Sequence, residues 1–437
     1  MRVVRSSRTL QVPTVGAAAT TGNFHAPHAV REQLRRSGML KEVDVKTLTR
    51  GRSTPTAALE EGRSGQLVTV REAIFEDYAK IAALQLRYGL TARSFDDWSA
   101  FWNDNPAFKE KTGHWPMGWV LETQSGEIVG SLINLPVSYE FQGRRLCAAS
   151  GCSWVVDARH RTHSMPLMLR FLKQKDVQLF MSATVGPKAE PALKVLRFSR
   201  LPVGNWQQSA FWITNYRGFS QSALTSKSVT FARAISYPLS AALFCRDKAK
   251  FGSRIKGSPF QIELCSGFDN RFDDFWEELS RQNQRVLLGV RTRETLAWHF
   301  RDALVQQNAW ILTASIGSRL VAYAVFDRQD KPALGLTRIR LVDFQAIDGC
   351  QDALRSVLLW MLHKCRRERI HVLEVVGSWL GRPEFPRLVP PHRRLLASWT
   401  YYYKANDPDL HEVLKDPAVW APSSFDGDAS LSGGSAL

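Results

Sequence analysis

The sequence has no run of about 18 uninterrupted apolar residues, the length a helix needs to cross a bilayer, so no spanning helix is expected. The nearest approach, Tyr237 to Cys245, is flanked by Arg233 and Arg246. It reads as a half-buried helix, with a helix lying on a membrane surface as the alternative. The six cysteines, Cys147, Cys152, Cys245, Cys265, Cys350 and Cys365, lack the short paired spacing of a zinc site. Each lies in or beside an apolar run, which fits buried free thiols in a reducing, cytoplasmic compartment and no metal. Acidic side chains are missing from the first 31 residues, which carry Arg2, Arg5 and Arg8. That composition fits a basic unstructured arm or a transit-type leader, and the absence of an apolar signal core argues against secretory export.

What is present points to a globular chain of two domains. At 437 residues it exceeds one compact core, and 44% hydrophobic residues with 23 Phe and 14 Trp are incompatible with disorder over most of its length. The 58 Lys and Arg outnumber 41 Asp and Glu, a net charge of +17. Such a surface attracts phosphates, nucleic acid, acidic lipids or anionic glycans without choosing among them.

After residue 65 the hydrophobic periodicity becomes regular. Leu67 to Ala73 alternates like a strand, and a helix follows with Ile81, Ala82 and Leu84 near one face. Ser94 with Asp97 three residues on predicts a capped helix to about Trp102, its aromatic stripe of Phe95, Trp98, Phe101 and Trp102 facing a core. Strands are expected at Met117 to Glu122 and Glu127 to Leu135. A turn at Gln142 and Gly143 leads to a long central strand, Leu146 to Val156. The loop 157–166, DARHRTHSMP, then opens an apolar helix, followed by a strand from Val177 to Ser182 and a helix from Glu190 to Leu196.

The same order begins again at Phe260. A strand, a helix from Phe272 to Leu279, and strands at Ala309 to Ala314 and Leu320 to Phe326 lead to a strand from Leu336 to Phe344. In the next helix Leu354, Val357, Leu358, Met361, Leu362 and Cys365 keep a helical spacing, with Asp348 and Gln351 as a capping pair. His371 to Val376 and Trp399 to Lys404 are the remaining strands. Arg93 and Trp98 in the first copy recur as Arg293 and Trp298 at the same separation. The expected organisation is a basic arm at 1–65, a first module at 66–219, a helix-containing linker at 220–257, a second module at 258–405 and a tail at 406–437, which reads as a short helix from Leu410 to Leu414 and a polar loop.

This order, with VTVREAIFEDYAKIAAL at 68–84 and ALKVLRF at 192–198, resembles the GNAT N-acyltransferase family over residues 67 to 404. The resemblance implies an α/β fold of two consecutive GNAT-like acyl-CoA N-acyltransferase modules with mixed central sheets, as in tandem proteins of bacterial type. It implies acetyl-CoA or another acyl-CoA as cosubstrate, with its pyrophosphate on the amides of the loop after the central strand, where a helix N-terminus favours an anion. The residues that match this loop are Val156, Arg159, His160, Arg161, Thr162, His163 and Ser164. Ser164 and Pro166 stand where the family carries small residues, and proline removes one amide donor. In the second copy, residues 346–350 hold one glycine and no base, so no CoA is expected there.

The family's tyrosine acid has no counterpart, since Val195 and Leu196 stand at its place. Glu122, Glu140 and His114 are available as bases, with a rim or surface role as the alternative. The leading expectation is acyl transfer from acyl-CoA to an amine or hydroxyl of a small-molecule or glycan acceptor. A Fem-type aminoacyl transferase drawing on aminoacyl-tRNA is similar in architecture and suits the positive charge. A catalytically degenerate scaffold is the non-enzymatic alternative.

Overall fold

A computed structural model describes residues 67–431 except 112, 251–258, 382–389 and 397–398. The basic arm expected at 1–65 lies outside the described residues. The first part of the chain forms β1 (Val68–Glu72), α1 (Tyr78–Arg87), α2 (Phe95–Asn103), α3 (Pro106–Lys109), β2 (Gly118–Thr123), β3 (Ile128–Phe141) and β4 (Arg144–Val156). It continues with α4 (Ser164–Leu172), β5 (Leu179–Val185), α5 (Glu190–Val195), β6 (Ser199–Arg200) and β7 (Gln208–Ile213). Two helices then stand where a linker with one helix was expected, α6 (Tyr216–Ser226) and α7 (Ala232–Lys250). The second part forms β8 (Gln261–Cys265), α8 (Arg271–Gln282), β9 (Leu288–Gly289), α9 (Arg293–His299), α10 (Arg301–Val305), β10 (Ala309–Ile316), β11 (Arg319–Arg328) and β12 (Arg338–Ala346). It closes with α11 (Ala353–Arg367), β13 (Val372–Val376), β14 (His392–Leu395), β15 (Thr400–Ala405) and α12 (Pro408–Val413).

Local chemistry explains many of these elements. The Ser94 side chain accepts from the Asp97 amide and caps α2 as expected. Gln142 and Gly143 both have positive φ, the twist-matched turn that joins β3 to β4. The six apolar residues expected along α11 are all buried against β10 to β13. Its cap differs: the helix starts after Asp352, while the Asp348 amide is bonded to the Gln282 side chain. Residues 347–352 form a separate turn, which removes Asp348 and Gln351 from the helix end.

Two mixed sheets carry these elements, one eight-stranded and one seven-stranded among the described residues. In each, antiparallel strands lead to a central strand whose partner is parallel, β4 with β5 and β12 with β13, joined through an amphipathic helix. The fold is mixed α/β, with the same order of strands in both sheets.

The sheets do not divide the chain at one point. β7 pairs with β13 and β14 in the second sheet, while β15 pairs with β5 and β6 in the first. The strand expected to close the second copy therefore completes the first sheet, in register from Thr400 opposite Val185 to Ala405 opposite Leu179. In each sheet the exchanged strand lies second from the edge, between two strands of the sheet that receives it, so its backbone groups find partners on both sides.

Arg93 and Arg293 are not equivalent positions. Ser94 caps α2 and Thr292 caps α9, so Trp98 lies four residues past its cap and Trp298 six past its own. Trp98 belongs to the first core, and the counterpart at four residues in the second copy is Leu296, which is fully buried. Trp298 instead donates its indole N–H to the Ala100 carbonyl across the two halves, at 3.0 Å.

Candidate active site

β4 and β5 pair in parallel only from Ala148 opposite Leu179 to Ser150 opposite Met181, yet both strands run on, to Val156 and Val185. They diverge where β4 carries a bulge: its pairing with β3 skips a residue between Ser131 and Ile133, and Ser153 takes a positive φ of 51°. An extra residue bends a strand away from its neighbour. The gap opens into a cavity of 630 Å³ lined on this side by Cys152, Ser153 and Trp154 of β4 and by Ser182, Thr184 and Val185 of β5. The opposite wall comes from the second half of the chain, with Trp298, His299, Asp302 and Asp327, and from Asp428, Ser430 and Leu431.

The last of these residues overturn the expectation of a polar tail loop. α12 forms close to the expected helix, but residues 422–429 beyond it are buried. What seats them is a buried ionic network. Arg291, 2% exposed, donates to both oxygens of Asp343 at 2.9 and 3.3 Å, to the Gly289 carbonyl at 2.7 Å and to Ser423 Oγ at 3.2 Å. Tyr323 and Ser423 also donate to Asp343, each at 2.8 Å. Asp426 accepts from the Ser423 amide at 2.7 Å and from the Tyr139 hydroxyl at 3.1 Å. Burial drives both carboxyls upward. Arg291 outweighs it at Asp343, which is held below its ordinary range, whereas Asp426 remains raised.

Nearer the cavity, Arg93 bonds the Asp302 carboxylate and the Leu431 carbonyl and lies over the Phe101 ring at 4.5 Å. His299 shares a 2.6 Å hydrogen bond with Ser430 and packs on Phe425; burial pushes its imidazole down to about 3, so it is neutral at physiological pH. Burial raises Asp302 despite Arg93, and it raises Asp327 to about 6 against the pull of the Gln329 amide and the Arg328 backbone. The wall thus presents two carboxyls raised by burial above the range of an exposed aspartate, with Asp327 brought toward neutrality.

The loop expected to hold a pyrophosphate does not line this cavity. Val156 ends β4 half-buried, and a short 3-10 turn, Ala158–His163, leads into α4. Arg159, Arg161, Thr162 and His163 are exposed, His160 is buried and Ser164 is half-buried at the start of α4. The end of α1 ties loop and cavity together. Arg87 bonds Asp157 at 2.9 Å and the Tyr88 hydroxyl accepts from the Ala158 amide at 2.8 Å, while Gln85, Gly89 and Leu90 line the cavity. From α4 itself Met168 and Phe171 reach the cavity.

None of the three residues considered as bases stands there. Glu122 takes two hydrogen bonds from Arg71 at the β1–β2 edge, which hold it below its ordinary range. Glu140 pairs with Arg145, and His114 lies exposed against Glu72 at 2.7 Å. Val195 ends α5, whose Glu190 receives instead the hydroxyl of Tyr402 from the exchanged strand β15, at 2.7 Å. Nor are all the thiols buried: Cys365 is, Cys245 is exposed and the other four are half-buried.

A second ionic cluster lies on β12 and β13. Glu374 binds Arg340 at 2.8 Å, Arg394 at 2.6 Å, Arg338 at 3.3 Å and the Ser209 hydroxyl. Burial would raise its carboxyl, and the three guanidiniums reverse that. Both clusters had a signal in the sequence: Glu374 interrupts the otherwise apolar strand Val372–Val376, Asp343 stands between Val342 and Phe344, and a buried charge needs a partner. Which arginines answer them is set by the sheets.

No family model matches this chain, and no curated protein does. Among solved structures it is similar to a GCN5-related N-acetyltransferase from Anabaena variabilis, with a TM-score of 0.49 and 10% identity over 78% of this chain and 73% of that one. A probable N-acyltransferase of unknown function from Enterococcus faecalis gives 0.48 and 12% over 78% and 72%. Saccharomyces cerevisiae N-myristoyltransferase with bound myristoyl-CoA gives 0.47 and 11% over 85% and 87%. At these scores and identities the likeness stops at general arrangement.

Proposed function

We propose that the chain transfers an acyl group from acetyl-CoA or a longer acyl-CoA to an amine or hydroxyl of a small-molecule or glycan acceptor. The observation that carries this reading is the divergence of β4 from β5 into a cavity bounded by both halves of the chain. A thioester arm fits between diverging strands, because their unpaired backbone groups offer it hydrogen bonds. In this reading the exposed Arg159, Arg161 and His163, on the turn leading into α4, would supply charge and donors to a CoA phosphate. The acceptor nitrogen or oxygen attacks the thioester carbonyl, the new bond forms as the carbon–sulfur bond breaks, and the acceptor's proton passes to the departing sulfur. Of the carboxylates on the wall, Asp302 and Asp327, which burial raises, are our candidates to relay that proton.

Calorimetric titration of the full chain with acetyl-CoA and with a long-chain acyl-CoA tests the reading. Binding is expected, weakened at least about tenfold when Arg159 and Arg161 are both replaced by alanine, since each charge-assisted hydrogen bond is worth about 1.5 kcal/mol or more. Absence of heat with either ligand at millimolar concentration overturns it. The net charge of +17 supports aminoacyl-tRNA as a different donor, for which a salt-dependent gel shift with tRNA is the distinguishing result.

A further inference from the structure

Helix α7 is apolar on its outer face. Its inner face rests on α6, where Asp247 accepts from the Tyr216 hydroxyl at 3.1 Å and meets His392 of β14 at 2.9 Å; Ser236 is buried and Leu239 and Leu243 are half-buried on the same side. At 100° per residue the opposite arc holds Ile235, Tyr237, Pro238, Ala241, Ala242 and Phe244, all exposed, with Lys248 as its one charged residue. Ile235 is 43% exposed, Tyr237 54%, Phe244 45%, and Phe231 just before the helix 80%. An uncovered helix usually turns charge toward water, and this one turns a stripe of apolar side chains there.

The charges around the stripe are of one sign. From Tyr216 to Lys250 the hairpin of α6 and α7 holds six Lys and Arg and one acid, the buried Asp247. Arg233 and Arg246 border the apolar arc. Arg217 lies over the Tyr237 ring at 4.4 Å and Lys248 over Phe244 at 5.6 Å, so aromatic rings and cations alternate along one side. Aromatic bodies with basic side chains reaching past them are suited to the boundary between acyl chains and headgroups. A second copy of this chain is a poor occupant, because it would bring six more cations against these six.

We propose that α7 docks flat on an anionic lipid bilayer, its outer arc sunk at the headgroup level and its Lys and Arg on lipid phosphates. This docking is separate from the acyl-transfer reading and stands or falls without it. The test is co-sedimentation of the full chain with vesicles of phosphatidylcholine alone and of phosphatidylcholine and phosphatidylglycerol in equal parts. Binding is expected to the second, to weaken as salt rises, and to fall at least about tenfold in Ile235→Asp/Ala242→Asp, which places two acids on the exposed arc. Arg233→Ala/Lys248→Ala should lower it roughly thirtyfold, as each surface cation contributes about 1 kcal/mol. Both pairs are exposed, so an unchanged melting curve checks that the variants fold. Failure to bind anionic vesicles, or equal binding by the acidic variant, overturns the proposal. So does a wild-type dimer in ultracentrifugation that ignores vesicles and becomes monomeric in the acidic variant, which assigns the face to a second copy.

Discussion

Replacing Arg291 by methionine removes the cation at the centre of the network that seats residues 423–431, while keeping most of the side chain's volume. In the native protein that guanidinium bonds Asp343 twice, the Gly289 carbonyl and Ser423, and it stands 3.6 Å from Asp426. Without it, two buried carboxyls remain with hydroxyl and amide donors but no cation. Breaking a buried pair from one side costs about 3–5 kcal/mol, because the abandoned charge stays out of water. The sign with pH follows from the same groups. In the variant both carboxyls are raised in the folded state, so stability grows as pH falls through the raised values. In the native protein Asp343 is held low, and that contribution is lost only in more acid solution. The deficit should therefore be largest near neutrality and shrink toward pH 4. Urea unfolding followed by tryptophan fluorescence measures it, and hydrogen exchange on residues 420–431 reports whether the segment leaves the cavity wall. A deficit under about 1 kcal/mol at neutral pH, or one that does not change with pH while the segment stays protected, would refute this account.

Asp327→Asn tests the raised carboxyl on the wall. A rise from 3.8 to about 6 corresponds to roughly 3 kcal/mol that the native protein loses as pH climbs through that window. The variant should gain up to that amount at neutral pH and nothing below about pH 4, as read by denaturant midpoints. If Asp327 relays the proton, acyl transfer should also lose its acid-side decline near pH 6. Glu374→Gln leaves Arg338, Arg340 and Arg394 without their carboxylate, and a loss of about 3–5 kcal/mol is expected in urea. Stability within about 1 kcal/mol of the parent would show that the guanidiniums find water instead.

What the sequence by itself determined is local. The apolar stripe from Leu354 to Cys365 dictates α11, since a helix is the conformation that puts those six side chains on one face. Ser94 dictates the start of α2, and the turn at Gln142 and Gly143 dictates a hairpin, because capping and turn geometry are settled within four residues. The element order was legible for the same reason, and with it the mixed α/β class. The tertiary structure decided which strands share a sheet. β7 and β15 are short strands that no local rule assigns to one sheet rather than another, and pairing is fixed by backbone partners contributed from about two hundred residues away. It decided also that the Ser, Asp and Gly of residues 422–429 are core rather than loop, because only the fold brings Arg291 to Asp343 and Asp426. The cavity belongs to the same class of fact. It exists where one bulge turns β4 from β5 and where the other half of the chain supplies the facing wall, and neither is written in the spacing of residues along either half.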